Sequence, residues 1–159
     1  MDLKFLYLAS KGRISRKTFL LALIGLMAAA YAASFIVQWM AGTLAGNELM
    51  GRLASGMMMV IVVAFLVGLI SICVKRFHDR NRSAWWMAPL YVVSIVSVFA
   101  LSANQGVPAE GIANFGMAVH ALWLGIVLWM LLELGILKGT AGPNQFGPDP
   151  LARPEDDAG

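Results

Sequence analysis

Cysteine, histidine and charged residues are all scarce in this sequence. The chain has one cysteine, Cys73, two histidines and 13% charged residues among 159 positions. A single cysteine excludes an intramolecular disulfide. His120 has no histidine, cysteine or acidic residue near it in sequence, so we expect neither a metal site nor a cofactor. Metal and redox chemistry therefore have little support as functions.

Hydrophobic residues, in contrast, make up 59% of the chain, and the mean hydropathy is +0.73. This composition leaves too little polar surface to cover a soluble globule. Clustered charge is missing from four long stretches, at residues 18–41, 53–74, 84–103 and 115–137. At about 1.5 Å per residue, each stretch is long enough to cross a hydrocarbon core of roughly 30 Å as a helix. The sequence predicts an all-α integral membrane bundle of four transmembrane helices.

The flanking segments complete a single membrane domain over residues 1–150. Residues 1–9 form a short amphipathic segment, with Leu3, Phe5, Leu6 and Leu8 beside Lys4 and Tyr7, which is typical of a helix lying in the membrane interface. Ser15 and Ser83 precede the first and third spans and are expected to cap them. Residues 151–159 are polar and charged, and we expect a flexible C-terminal tail.

Lysine and arginine are distributed unequally between the two sides of the predicted bundle. Of the 12 such residues, only Arg52 falls in an outer loop. Positive residues favour the cytoplasmic side, so both termini and the loop between the second and third spans are predicted to be cytoplasmic. The basic residues are spread over separate membrane-edge segments, which argues against nucleic acid as a partner and favours anionic lipid head groups.

Three polar segments on this side carry a recognisable pattern. Residues 12–19 contain Gly-Arg-Ile-Ser-Arg, residues 76–86 lead from Arg-Phe-His-Asp to Trp-Trp, and residues 142–150 contain Asn-Gln-Phe-Gly-Pro-Asp-Pro. In this order around four spans, the segments resemble the bacterial inner-membrane family catalogued as domain of unknown function 805. The resemblance implies location in the bacterial inner membrane and brings no established activity. Thr18 departs from it, since the family usually has an acidic residue there.

All three segments would emerge on one face of the bundle, where their arginines can converge. Arginine binds phosphate oxygens through two parallel hydrogen bonds, so this face is a candidate anion site. The candidate ligand-binding residues are Arg13, Arg16, Arg76, His78, Arg82 and Asn144. The candidate supporting residues are Ser15, Asp79, Ser83, Trp85, Trp86, Glu133, Phe146, Gly147 and Asp149. The alternative is structural: the arginines follow the positive-inside rule, while Asp79, Asn144 and Asp149 tie the loop to the tail.

Three classes of function remain open. The first is a non-enzymatic inner-membrane protein whose basic cytoplasmic face binds anionic lipid head groups or a membrane-protein partner. The second is a small transporter or channel, although no charged residue lies near the middle of a predicted span. The third is a membrane enzyme acting on a lipid phosphate, with His78 as acid or base. No nucleophile motif accompanies His78, and we assign no catalytic residue.

Overall fold

The computed structural model describes residues 2–43, 47–103 and 109–152, and within these ranges the chain is helical without a β-strand. The part of the expected tail at 153–159 lies outside the described residues. The helices are α1 (Leu3–Leu8), α2 (Arg16–Thr43), α3 (Glu48–Asp79), α4 (Ala88–Ala103) and α5 (Ala109–Leu131). A 3-10 turn at Ala84–Met87 leads into α4, and a π-helical turn at Leu132–Ile136 continues α5.

Three of the helical segments are long and apolar enough to cross a membrane: Arg16–Thr43, Glu48–Asp79 and Phe115–Ile136. The apolar segment at the third expected span is shorter, at Ala84–Ser97 among the residues searched. The expected helical membrane architecture is therefore present, and the exact number of four spans stays a prediction. The third expected span begins with a 3-10 turn, and Ser83 caps this turn by accepting a hydrogen bond from Trp85 N at 3.3 Å.

Helix α3 extends beyond the predicted span at both ends. Asn47 caps its start by accepting hydrogen bonds from the backbone N–H groups of Leu49 and Met50. At the other end, the charged residues after Val74 continue the helix instead of forming a loop. Asn81 then closes α3 in a left-handed conformation with φ of 56°.

The helices form two hairpins, α2 with α3 and α4 with α5. The hairpins meet through the 3-10 turn and the π-helical turn, where the core contains Phe19, Ile72, Phe77 and Leu134. Elsewhere, large apolar side chains such as Leu21 and Ile24 remain exposed along the helices. Exposed apolar surface of this extent is stable in lipid and costly in water.

Helix α1 does not stand apart from the bundle, as a purely interfacial helix would. Leu6 is buried in the core, and the Tyr7 hydroxyl donates to the carbonyl of Ala22 in α2 at 3.0 Å. Leu3 and Leu8 point away from the protein and are largely exposed. One face of α1 is therefore packed on the bundle, and the other is available to lipid.

Candidate functional site

The three polar segments meet at one end of the molecule, which we call the basic end. It comprises residues 10–18 at the start of α2, residues 75–86 at the end of α3, and residues 133–150 after α5. The convergence follows from the hairpins, because the start of α2 and the ends of α3 and α5 lie on the same side. Arg52 lies at the start of α3, at the opposite end.

Asp79 is at the centre of the basic end and binds two arginines. Its Oδ1 accepts hydrogen bonds from Nε and Nη2 of Arg13, at 3.1 and 3.0 Å. Its Oδ2 accepts a hydrogen bond from Nη1 of Arg76, one helical turn earlier. The side chains of all three residues are buried, with exposed fractions of 4% or less. Both oxygens of this carboxylate are thus used to neutralise internal charge.

The remaining donors of Arg13 go to the segment that follows α5. Nη1 donates to the carbonyls of Gly142 and Gly147 at 2.7 and 3.2 Å, and Nη2 donates to Thr140 O at 2.7 Å. Every nitrogen of this guanidinium therefore has an acceptor within the protein. An external anion would reach Arg13 only by displacing Asp79 or these carbonyls.

Arg76 is used in the same way at the end of α5. Its Nε donates to Leu134 O at 2.7 Å, and its Nη2 donates to Leu137 O. The last carbonyls of a helix lack intrahelical partners and carry partial negative charge, so a buried cation stabilises them. Arg13 and Arg76, which the sequence places in an anion site, are thus turned inward in the structure.

Glu133 lies in the π-helical turn and is nearly fully buried. Its Oε1 is 3.0 Å from Nε of Arg80 and 3.4 Å from Nη1 of Arg82. Arg80 also donates to Lys138 O at 2.7 Å. The position of Glu133 near the last turn of the span predicts an ion pair of this kind. The sequence around Glu133 does not indicate that its carboxylate contacts two arginines.

His78 is covered by the segment after α5. Its ring stacks on Phe146 with centroids 3.9 Å apart and an angle of 4° between the planes. Its Nδ1 is 3.3 Å from Gly12 O. Asn144 donates through Nδ2 to His78 O at 2.9 Å, so its amide is bonded to the protein backbone. These contacts tie the end of α3 to residues 142–150, which we call the tail segment.

Asp149 holds the turn within that tail segment. Its carboxylate accepts hydrogen bonds from Leu151 N at 2.9 Å and Gly142 N at 2.8 Å. These two backbone hydrogen bonds lower the pKa of Asp149 below its usual value, because they favour the ionised carboxylate. The positive charge of Arg13 lowers that pKa further.

Lys75 belongs to the basic end but was not among the residues that the sequence indicated. Its Nζ is fully buried and donates to Leu6 O at 2.9 Å and to Ser71 Oγ at 2.7 Å. The amine also lies 5.0 Å from the centre of the Phe5 ring. Ser71 Oγ in turn contacts Leu6 O and Ala9 O, so Lys75 and Ser71 together cap the end of α1 and fix it on α3. The sequence feature that indicates this pair is the spacing of four residues between Ser71 and Lys75, which makes them neighbours on one face of a helix.

Several other polar residues remain at the surface of the basic end. Ser15 accepts a hydrogen bond from Thr18 N at 3.3 Å and begins α2, after which Arg16 is exposed with one contact to Ile136 O at 3.4 Å. The exposed lysines of this end are Lys11, Lys17 and Lys138, and Lys4 in α1 is also exposed. Trp85 and Trp86 are also exposed. No group of three His, Cys, Asp or Glu side chains suited to a metal occurs among the described residues.

Comparisons with known proteins agree with the pattern of the polar segments. A family model described as a protein of unknown function, DUF805, matches residues 7–148. The chain is similar to the uncharacterized protein YiiR of Escherichia coli K12, with 31% identity over 144 residues, which cover 87% of this chain and 84% of the relative. YiiR of Escherichia coli O157:H7 matches with the same identity and coverage. No solved structure matches the chain.

Proposed function

The chain belongs to the DUF805 family of proteins of unknown function, and we propose that it is a non-enzymatic protein of the bacterial inner membrane that binds anionic lipid head groups at its basic end. In this proposal the basic end, with both termini, faces the cytoplasm. The apolar helices place the protein in a membrane.

The observation that carries this proposal is the division of the cations into two sets. Arg13 and Arg76 are buried, and their donors are occupied by Asp79 and backbone carbonyls. Lys11, Lys17 and Lys138 are exposed at the same end. The exposed set leaves positive charge at the membrane edge, where each lysine or arginine gains about 1 kcal/mol from an anionic lipid surface.

The location of buried polar groups favours this proposal over transport. A transport path needs polar groups at the middle of the membrane. The buried polar and charged side chains that the structure describes all belong to the basic end or the last turns leading to it: Arg13, Ser71, Lys75, Arg76, Asp79 and Glu133. This distribution suits a closed end of a bundle better than a path across it.

The surroundings of His78 favour a non-enzymatic role. An acid or base must reach a substrate proton, and a neighbouring carboxylate must be free to orient it. The His78 ring is covered on one face by Phe146, and the carboxylate of Asp79 is committed to Arg13 and Arg76. His78 therefore serves to hold the tail segment.

The test is the preference of the purified protein for anionic over zwitterionic lipid. The variant Lys11→Gln, Lys17→Gln, Lys138→Gln removes three exposed charges without breaking a described side-chain contact. We expect the preference for phosphatidylglycerol over phosphatidylcholine, measured by native mass spectrometry, to fall by up to about fivefold for each charge removed. Arg52→Gln, at the opposite end, is the matched control. An unchanged preference in the triple variant contradicts the proposal.

A further inference from the structure

Arg82 differs from the other arginines of the ion-pair network in being accessible. Its side chain is 35% exposed, against 18% for Arg80 and 1% or less for Arg13 and Arg76. Its contacts within the described residues are the approach to Glu133 at 3.4 Å and the ring of Trp86, whose centre lies 4.6 Å from the guanidinium carbon. Glu133 and Trp86 therefore orient the Arg82 side chain, while about a third of it remains exposed.

The backbone that carries Arg82 is fixed on both sides. Arg82 N donates to Phe77 O at 2.9 Å and Asn81 N donates to His78 O at 3.0 Å, a Schellman motif with Asn81 in the left-handed conformation. On the other side, Ser83 caps the 3-10 turn through Trp85 N. Arg82 thus occupies one backbone position before any ligand arrives, which reduces the entropy lost on binding.

The Trp86 ring is fixed as well. It packs at 6.1 Å from the ring of Trp129 in α5, with an angle of 43° between the planes. A guanidinium over an aromatic face is attracted to it, and the stacking leaves the N–H groups at the edge able to donate. Trp86 therefore acts as a platform that holds Arg82.

The charges around Arg82 have a net positive sum, which favours binding of an anion. Oε1 of Glu133 is shared by Arg80 and Arg82, with the shorter distance to Arg80. Among the residues that the structure describes, one negative charge thus faces two positive charges, and the more exposed of the two arginines is Arg82. An anionic group there would complete the neutralisation.

Trp85, which precedes Trp86 in the chain, indicates the depth of Arg82 in the membrane. Trp85 is 83% exposed and adjoins Trp86 at the start of the apolar segment Ala84–Ser97. Tryptophan is enriched at the level of lipid head groups, where its ring is apolar and its N–H is polar. The phosphate of a membrane lipid lies at this level.

We propose that Arg82, presented on Trp86, binds the phosphate of an anionic phospholipid as a discrete site at the basic end. The proposal rests on the proposed function and assigns it a particular residue pair. A free phosphate ion shares the same chemistry, and the experiment separates the two sources.

The experiment measures phosphatidylglycerol retained by the detergent-solubilised protein in native mass spectrometry. We expect Arg82→Gln to lower the affinity of one bound lipid by about tenfold or more, since the variant removes a hydrogen-bond donor that is also charged. Arg82→Lys should recover part of the loss, because lysine keeps the charge but not the planar fork. Arg52→Gln is the control, and thermal unfolding of each variant checks that the fold is intact.

A double-mutant cycle with Trp86→Leu tests the platform. If Trp86 acts by holding Arg82, the loss in Arg82→Gln, Trp86→Leu is smaller than the sum of the two single losses. Inorganic phosphate should not displace the lipid, whereas displacement would identify a free-phosphate site and overturn the assignment to lipid.

The outcomes separate this proposal from the broader one. If Arg82→Gln retains lipid like the unsubstituted protein while the triple lysine variant loses its preference, the discrete site is wrong and the proposed function stands. If neither changes, both fail.

Discussion

Nε and Nη2 of Arg13 both donate to a single oxygen of Asp79, which is 66 residues further along the chain. The other oxygen of that carboxylate accepts from Arg76. One acidic side chain therefore joins the segment before α2 to the end of α3. Through Arg13 and Arg76 it also joins both of them to the residues after α5.

Asp79→Asn is expected to be among the most destabilising single substitutions in this chain. Removing the charge leaves two buried guanidinium groups without a counterion, and breaking a buried ion pair in this way costs about 3–5 kcal/mol. The measurement is the free energy of unfolding in detergent or mixed micelles. Glu48→Gln is the control because the Glu48–Arg52 pair is exposed, with side-chain fractions of 92% and 82%. An equal, small effect of both variants would contradict the central role of Asp79.

Gly139→Ala tests how closely the residues after α5 approach Asp79. A Cβ at Gly139 would overlap the carboxylate of Asp79, which two arginines prevent from moving. We expect a loss of about 1–3 kcal/mol in the free energy of unfolding, as for other overpacked sites. Gly125→Ala is the matched control, since nothing lies within 4 Å of its added Cβ. The close approach is refuted if the two variants have equal stability.

Asp149 predicts a dependence of tail docking on pH. Its folded-state pKa lies below the ordinary value of 3.8 because Leu151 N and Gly142 N donate to it. The ionised carboxylate therefore stabilises the docked segment above the ordinary pKa, and this contribution is lost as the pH falls through the lowered value. Hydrogen exchange at the amides of Gly142 and Leu151 should accelerate, after correction for intrinsic rates, in that acidic range. Asp149→Asn should abolish this step, and its persistence would assign the step to another group.

Cysteine labelling tests the orientation of the basic end. Cys73 is buried, so Cys73→Ala provides a background for introduced cysteines. Ser10→Cys and Ala141→Cys are exposed positions at the basic end, and Thr43→Cys is an exposed position at the other end. An impermeant maleimide added outside intact inner membranes should label only Thr43→Cys. Labelling of Ser10→Cys or Ala141→Cys from outside would reverse the proposed topology.

The main apolar helices and the meeting of the polar segments could be predicted from the sequence, because both follow from where charge is missing. Residues 53–74 are too apolar to remain in water, so they must be buried in lipid or protein. After two crossings the chain returns to the side where it began, which brings the residues near Arg13 and those near Asp79 to the same end. The cap provided by Ser83 could also be predicted, since it depends on residues close in sequence. The ion pair of Glu133 could be predicted from the position of this residue near the end of its span.

The inward direction of Arg13, Arg76 and Lys75 could not be predicted in the same way. A count of positive residues gives the side of the membrane but not whether a side chain faces water or the protein. Arg76 had a signal in Asp79, three residues later on the same helix. Arg13 had none, because its acceptors are distant in sequence, and the α1 cap by Lys75 depends on packing of α1 against α3.

The π-helical turn at Leu132–Ile136 also lacks a local signal. It depends on contact between elements: an added Cβ at Gly135 would lie 3.2 Å from Cδ2 of Leu20 in α2. The close approach of this turn to α2 and the contacts of Arg76 with the carbonyls of Leu134 and Leu137 exist only in the assembled bundle. Tertiary contacts of this kind determine the end of the helix.

The placement of Arg13 before α2 and of its carbonyl acceptors after α5 has a consequence for biosynthesis. During translation Arg13 emerges first, while Thr140, Gly142 and Gly147 emerge only after every apolar helix has left the ribosome. Asp79 can pair with Arg13 before that point, but Nη1 of Arg13 has acceptors only in the last-made segment, so closure of this end is completed after insertion. A nascent chain that stops before Gly139 would leave Nη1 bonded to water.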